Sequence, residues 1–407
     1  MANISTCAPI TPNSILDAYR KIDKYIIKTE LVTSDAINQI ASFNEPASLF
    51  IAAKNGTPII SALSSVGNTI NSAPFPTPKF NIYFKCENQQ RTGAFKARGA
   101  FHALSRLIEE EGIDEVQRKG VVTTSSGNHA QGLALAAVTF EVPATIVMPK
   151  TSSQTKVAAV ARTLNIKEIG VDGGKSSKGI ILFCGNSMEE KNIAVDAAIQ
   201  KSGCVFVPPY AHPDIISGQG TCALELEEQF NNLRYNAYDR GLDAVLAPIG
   251  GGGLLGGIAT WFALKPTTKI YGAEPSFQGA DDARRGLLLN KRIEHVASLT
   301  IADGLRTPVG PINWGIVSDK SKVEGIFAVE ENEIKMAMRI IHEELDMLVE
   351  PSGCVPLAVV LFNASFRSMV AKEVGYEGRA WNIAIVLSGG NTTIEIMQEL
   401  IGEVGSD

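Results

Sequence analysis

Short β-branched runs alternate along most of this chain with longer segments of helical period, and glycine-rich turns join the two. The runs at 121–124, 144–148, 180–183, 205–207, 244–249, 270–274 and 383–387 are mostly continuous in apolar residues rather than alternating. Strands of that kind are covered on both faces, as in a parallel sheet. Between them, 97–111, 131–140, 156–164, 220–230, 256–264, 331–345 and 353–366 read as helices. Strand, turn, helix, strand predicts an α/β protein. Two stretches break the rhythm. Residues 36–78, rich in Ser, Ala, Asn and Pro, predict an irregular surface insertion, and 166–179 predicts a flexible hairpin or loop.

A length of 407 residues allows two or three domains. The formal charge of −6 comes without any Lys/Arg stripe, which argues against a nucleic-acid or anionic-membrane partner. No apolar run reaches the roughly 18 residues of a membrane helix, and the N-terminus lacks a basic, then apolar, leader pattern. Cysteines 7, 86, 184, 204, 222 and 354 are scattered, with no Cys-x-x-Cys pair. A reduced, cytoplasmic protein is the expectation, rather than a disulfide scaffold or a zinc ribbon.

Chemistry concentrates in four places. Gly250, Gly251, Gly252 and Gly253 follow a strand and precede a helix, with Leu254 next. Such a turn lets successive N–H groups converge on an anion at a helix N-terminus, a phosphate cradle in form. It is neither a Walker loop nor Gly-x-Gly-x-x-Gly with a downstream ribose-binding acid, which counts against a nicotinamide dehydrogenase. Ser125-Ser126-Gly127-Asn128-His129 also joins a strand to a helix and offers hydroxyls, an amide and free N–H groups to a carboxylate. His129 reads equally as a structural or a catalytic histidine. Lys96, within Gly93-Ala94-Phe95-Lys96, is either a snorkelling surface residue or a desolvated amine able to attack a carbonyl. Ser388 ends the last apolar strand, where open α/β sheets bind ligands, or belongs to a simple turn. Together an amine, a phosphate cradle, a hydroxyl and a carboxylate pocket are the parts that hold pyridoxal phosphate while an amino acid exchanges into it.

These segments resemble the serine/threonine dehydratase and serine racemase family of fold-type II pyridoxal-phosphate enzymes. The resemblance rests on 85–100 around Lys96, 125–131, 217–221, 248–253, 300–304, 350–353 and 387–391, in the family's order, and covers about residues 80–392. It implies an α/β fold similar to the tryptophan synthase β chain. A large open twisted sheet domain (1–118 and 207–407, with 36–78 inserted) would carry a smaller mobile domain (119–206). Lys96 would carry the cofactor, Phe95 would pack on its ring and Asn128 would bond its hydroxyl. Residues 250–253 with Leu254 would hold the phosphate, and Ser388 would face the pyridine nitrogen. A serine there, unlike a carboxylate, need not keep the nitrogen protonated, which favours loss of a β-leaving group over transamination. Ser125, Ser126, Asn128 and His129 would bind substrate.

The implied reaction is α,β-elimination from L-serine, L-threonine or a related β-hydroxy amino acid, giving a 2-oxo acid and ammonia. Dehydratases of this kind usually carry Ala at position 126, whereas racemases carry Ser. Ser126 therefore offers a second acid/base for racemisation, unless it only caps the helix or binds carboxylate. The resemblance also implies a Mg²⁺ or Ca²⁺ site at Glu274, the Ala280 carbonyl and Asp282, the alternative being two solvated carboxylates. That stretch is about two residues longer than the family's usual form. Ala94 replaces a usual Ser, and Glu189-Glu190-Lys191 stands where racemases place an Arg. No domain of roughly 100 residues follows Asn391, so isoleucine feedback is not expected. A homodimer is implied. The competing readings are a protein that is primarily an amino-acid racemase, a β-replacing synthase, and a catalytically idle family member acting as a binding protein.

Overall fold

The computed structural model describes residues 4–52, 58–66, 77–233 and 241–402. Eleven strands lie among the described residues. They are β1 (Leu31–Thr33), β2 (Phe80–Lys85), β3 (Val121–Thr124), β4 (Ala144–Pro149), β5 (Gly173–Lys175) and β6 (Gly179–Cys184). The chain continues with β7 (Val205–Phe206), β8 (Ala244–Pro248), β9 (Lys269–Pro275), β10 (Gly325–Val329) and β11 (Trp381–Val386).

They form two sheets, one ordered β1-β2-β11-β8-β9-β10 and the other β5-β6-β4-β3-β7. All pairings are parallel except those of the edge strands β1 and β5. The last of the described strands, β11, sits inside the large sheet, with Trp381 opposite Phe80 and Ile383 opposite Ala244. Burial on both faces explains the continuous apolar runs. One face of the large sheet packs under the helices Glu331–Leu345 and Pro351–Phe362, and the other under Pro213–Leu233 and Gly253–Phe262.

The α/β expectation holds, and several local expectations are corrected. Residues 36–78 are not an irregular surface insertion where they are described. They form the helices Asp35–Ala41, Pro46–Ala52 and Ile59–Val66, and Ile37, Ile40, Leu49 and Ile59 are buried in the large-sheet core. Most of the Pro-rich stretch at 71–78 lies outside the described residues. The 166–179 stretch is a hairpin whose outer strand β5 closes one edge of the small sheet. The helix expected from 220 begins at Pro213. Its glycines mark close packing rather than a break: a Cβ on Gly218 would lie 2.7 Å from Gly99 Cα, and one on Gly257 would lie 2.5 Å from Gly220 N. The single helix expected over 353–366 is two, bent by 56°, with the Asn363 side chain capping the second. No single described helix is long and apolar enough to cross a membrane.

Candidate active site

The carboxyl ends of β3, β8 and β11 open onto one cavity of about 340 Å³, the position where α/β sheets present ligand sites. Phe95, Lys96, the 125–129 loop, residues 250–254 and Ser388 all line it. These residues come from four separate stretches of sequence, and the fold brings them together.

Thr92 and Gly93, both in left-handed conformation, turn the chain into the helix Lys96–Glu111. That turn is knitted to the end of β11: Phe95 N–H donates to the Ser388 carbonyl at 3.1 Å, and Gly390 N–H to the Gly93 carbonyl at 2.8 Å. Lys96 is partly buried, its Nζ donating to the Pro209 carbonyl at 2.8 Å and lying 5.0 Å from the Phe95 ring centroid. Burial pushes its ammonium down to about 8, a shift that the nearby Glu350 partly opposes.

After β8 the glycine turn reaches the helix Gly253–Phe262 with Gly252 at φ +86°. No side chain caps that helix, so its first N–H groups remain free for an anion. A Cβ on Gly251 would lie 2.3 Å from the Tyr210 ring, and one on Gly250 would lie 2.9 Å from the Gly304 carbonyl. Asn313 Nδ2 and Gly310 N–H both hold the Gly251 carbonyl. Tyr210 directly follows Pro209, so one short segment contacts both the amine and the glycine turn.

In the second loop Ser125 Oγ accepts from Gly127 N–H at 3.2 Å. The Ser126 hydroxyl caps nothing: the helix Asn128–Thr139 has no side-chain cap, and Ser126 is exposed on the cavity wall. Asn128 is fixed from both sides, its Nδ2 donating to Glu350 Oε1 at 2.7 Å and its Oδ1 accepting from Asn391 at 2.9 Å. One Nδ2 proton remains for a ligand. His129 is buried, with Nε2 3.3 Å from the Val207 carbonyl, and burial with the Lys96 charge pushes its pKa down to about 3. It is therefore a neutral imidazole supporting the loop from behind.

Sequence reasoning did not single out Glu350, Lys156, Asp303, Asn391 or Tyr210. Glu350 is buried and burial pushes its carboxyl up to about 7, with Lys156 opposing the rise and Asp303 reinforcing it. Nor did it find the fully buried network below the lysine. Arg98 donates to both oxygens of Glu87 and both of Glu225, and Lys85 also binds Glu225. The Lys85–Arg98 segment was visible as a motif, but only the fold shows that its charges pair with position 225.

Glu274, Ala280 and Asp282 lie outside the cavity. All three are buried, which excludes the solvated-carboxylate alternative. The Glu274 oxygens accept from Ala283 and Arg284 N–H at 3.0 and 2.9 Å, and Asp282 Oδ2 from Val309 N–H at 3.1 Å. Burial and the neighbouring Asp282 raise Glu274 well above the usual carboxylate range, while burial raises Asp282 to about 6. Asp281, by contrast, is paired with Arg284 and Arg285. Two unneutralised acids with spare lone pairs and a carbonyl suit a hard cation.

The cavity fits pyridoxal phosphate on three counts. It has room for a ring, it has an amine of lowered pKa, and its helix-start cradle admits no side chain at Gly250 or Gly251.

A family model described as pyridoxal-phosphate dependent enzyme matches residues 65–373. The chain is 32% identical over 397 residues to a serine racemase of Dictyostelium discoideum, covering 97% of this chain and 98% of that one. It is 38% identical over 316 residues to a β-hydroxyaspartate dehydratase of Paracoccus denitrificans, covering 77% and 86%. The solved structure of maize serine racemase superposes with a TM-score of 0.75 at 30% identity, covering 97% and 98%. On sequence and fold alike, this chain belongs to the pyridoxal-phosphate dependent enzyme family.

Proposed function

We propose that this protein is an ammonia-lyase that converts L-serine, L-threonine or a related β-hydroxy amino acid into a 2-oxo acid and ammonia, with racemisation as a second outcome at the same centre. The observation that carries the reading is Lys96. It is an amine of depressed pKa in a cavity whose walls are a helix-start glycine turn and a hydroxyl-rich loop. The names of the relatives support the substrate class.

When bound, pyridoxal phosphate supplies an aldehyde for an amine and an electron sink for the α-carbon. Lys96 Nζ is the amine that joins it and the base that receives the α-proton. Residues 250–253 and Leu254 hold the phosphate, Phe95 packs on the ring, Asn128 bonds its hydroxyl and Ser388 partners its nitrogen. Ser125, Ser126 and the backbone N–H of Asn128 at the uncapped helix start grip the substrate carboxylate, with His129 holding the loop in place. The Ser126 hydroxyl, spent on no cap, is the acid/base for racemisation. Residues 119–206 act as a small domain that closes on 1–118 and 207–407 when that carboxylate is gripped. Glu274, the Ala280 carbonyl and Asp282 hold Mg²⁺ or Ca²⁺. A homodimer completes the reading, in a reducing cytoplasm supported by six cysteines that form no disulfide.

The test is product analysis of the purified holoenzyme on L-serine and L-threonine. 2-Oxo acid release is assayed together with chiral chromatography, with and without EDTA. Release of 2-oxo acid is expected, with D-serine alongside it and both lowered by the chelator. A protein yielding neither product from any β-hydroxy amino acid overturns the reading.

A further inference from the structure

Outside the cavity three side chains converge from two distant stretches. Cys7, on the segment before the helix Pro12–Ile22, places Sγ 3.5 Å from Asp214 Oδ2 and 3.9 Å from His212 Nε2. His212 Nδ1 is 3.7 Å from the same carboxylate oxygen. One donor atom from each of the three falls within 4.8 Å of the others. His212 and Asp214 are buried and Cys7 is half-buried, so the thiol is the side open to solvent.

A thiolate, an imidazole and a carboxylate form a borderline-soft set that suits zinc rather than magnesium or calcium. With zinc bonds of about 2.0–2.3 Å, tetrahedral geometry separates sulfur from nitrogen or oxygen by roughly 3.6 Å, and nitrogen from oxygen by roughly 3.4 Å. The sulfur stands near those spacings, 3.5 Å from the carboxylate oxygen and 3.9 Å from His212 Nε2, and with all three ligand atoms within 4.8 Å of one another a shift of the imidazole toward the carboxylate closes the set. His212 Nδ1 accepts from Asp214 N–H at 3.3 Å, so Nε2, the nitrogen facing Cys7, is the ligand atom. The surroundings are balanced. Arg106 Nε lies 3.9 Å from Asp214 Oδ1, and Glu109, paired with the same guanidinium, offsets that cation. The backbone is fixed as well, with His102 Nδ1 2.6 Å from the Asp214 carbonyl.

We infer that Cys7, His212 and Asp214 form a site for a zinc-class divalent cation, completed by water, that clamps the N-terminal segment to the wall of the active-site cavity. On binding, Cys7 gives its proton to solvent, a sulfur–metal bond forms and a metal-bound water leaves. The clamped stretch runs directly from Pro209 and Tyr210, which touch Lys96 and Gly251. Occupancy therefore stiffens the wall from behind.

The test strips the holoenzyme with a chelator and titrates it with cobalt(II), then zinc, in excess magnesium to saturate the oxygen-ligand site. Visible d–d bands of tetrahedral, thiolate-bound cobalt are expected at one equivalent per chain, together with a zinc-dependent rise in the thermal midpoint. Cys7→Ser and His212→Gln should each lower zinc affinity roughly tenfold or more and abolish the midpoint shift. Retention of the cofactor's absorbance shows that each variant has folded. Cobalt that stays octahedral, or equal zinc uptake by native protein and Cys7→Ser, overturns the inference. The readout does not need pyridoxal phosphate, so cobalt–thiolate bands in a chain that turns over no amino acid would support this site while rejecting the proposed function.

Discussion

Lys156 Nζ lies 2.6 Å from Asp303 Oδ2 and 3.9 Å from Glu350 Oε2, carrying an ammonium from beside the small sheet to two carboxylates beside the large one. This cation opposes the burial that lifts the Glu350 carboxyl to about 7. Lys156→Met removes that opposition, so Glu350 titrates higher. The acidic limb of the pH–rate profile should move upward by about one unit. A limb left in place would mean that Glu350 is not the group it reports.

Lys96 sets a second pH dependence. A lysine depressed to about 8 is charged below that value and neutral above it, and only the neutral amine attacks an aldehyde. Covalent capture of pyridoxal phosphate by the apoenzyme should therefore rise about tenfold per pH unit and level off above about 8. An unperturbed lysine would go on rising toward 10.5. Stopped-flow absorbance separates the two. Lys96→Ala should lose the lysine-bound chromophore and roughly 10³-fold or more of turnover.

Ser126 separates the two outcomes of the reaction. Ser126→Ala should lower racemisation by roughly 10²-fold or more while elimination changes little. Chiral chromatography and 2-oxo acid assay on the same samples measure both rates. A parallel fall in both would place Ser126 in carboxylate binding instead.

Gly251 tests the cradle. In Gly251→Ala the new methyl meets the Tyr210 ring at 2.3 Å, so the ring or the turn must move. Equilibrium dialysis should show pyridoxal phosphate bound roughly tenfold or more weakly. Adding Tyr210→Ala should recover part of that loss if the clash is its cause.

Arg98 tests the scaffold. Arg98→Met leaves Glu87 fully buried without its bidentate partner. Removing one member of a buried ion pair costs about 3–5 kcal/mol. Chemical denaturation of the holoenzyme should show that loss, alongside weaker cofactor retention because Arg98 is two residues from Lys96.

The parts of the site legible in the sequence were those that need an unusual backbone. The 250–253 turn and the 125–129 loop had to sit between a strand and a helix, and both do. What escaped depends on partners far along the chain. In β2 Asn81 and Lys85 interrupt the apolar run, yet Lys85 is at home in the core because Glu225 meets it there. The helices within 35–66 were hidden by Ser, Ala and Asn, which look like loop until Ile37, Ile40, Leu49 and Ile59 are seen facing the core. The helix Met188–Ser202 buries only Val195 and Ala198, too little to leave a clear period. Glu350 stood inside a recognised motif, but its raised pKa comes from burial and from Asp303, neither of which spacing reveals.

The placement of β11 bears on where the molecule can be cut. The strand that lies between β2 and β8 comes far along the chain from both of them, and Ser388, Gly389 and Asn391 follow it directly. Without it the middle of the large sheet is missing, and the turn that leads into Lys96 loses its bonds to Ser388 and Gly390. A chain severed ahead of β11 thus carries no assembled catalytic centre, however intact the rest of the cavity wall.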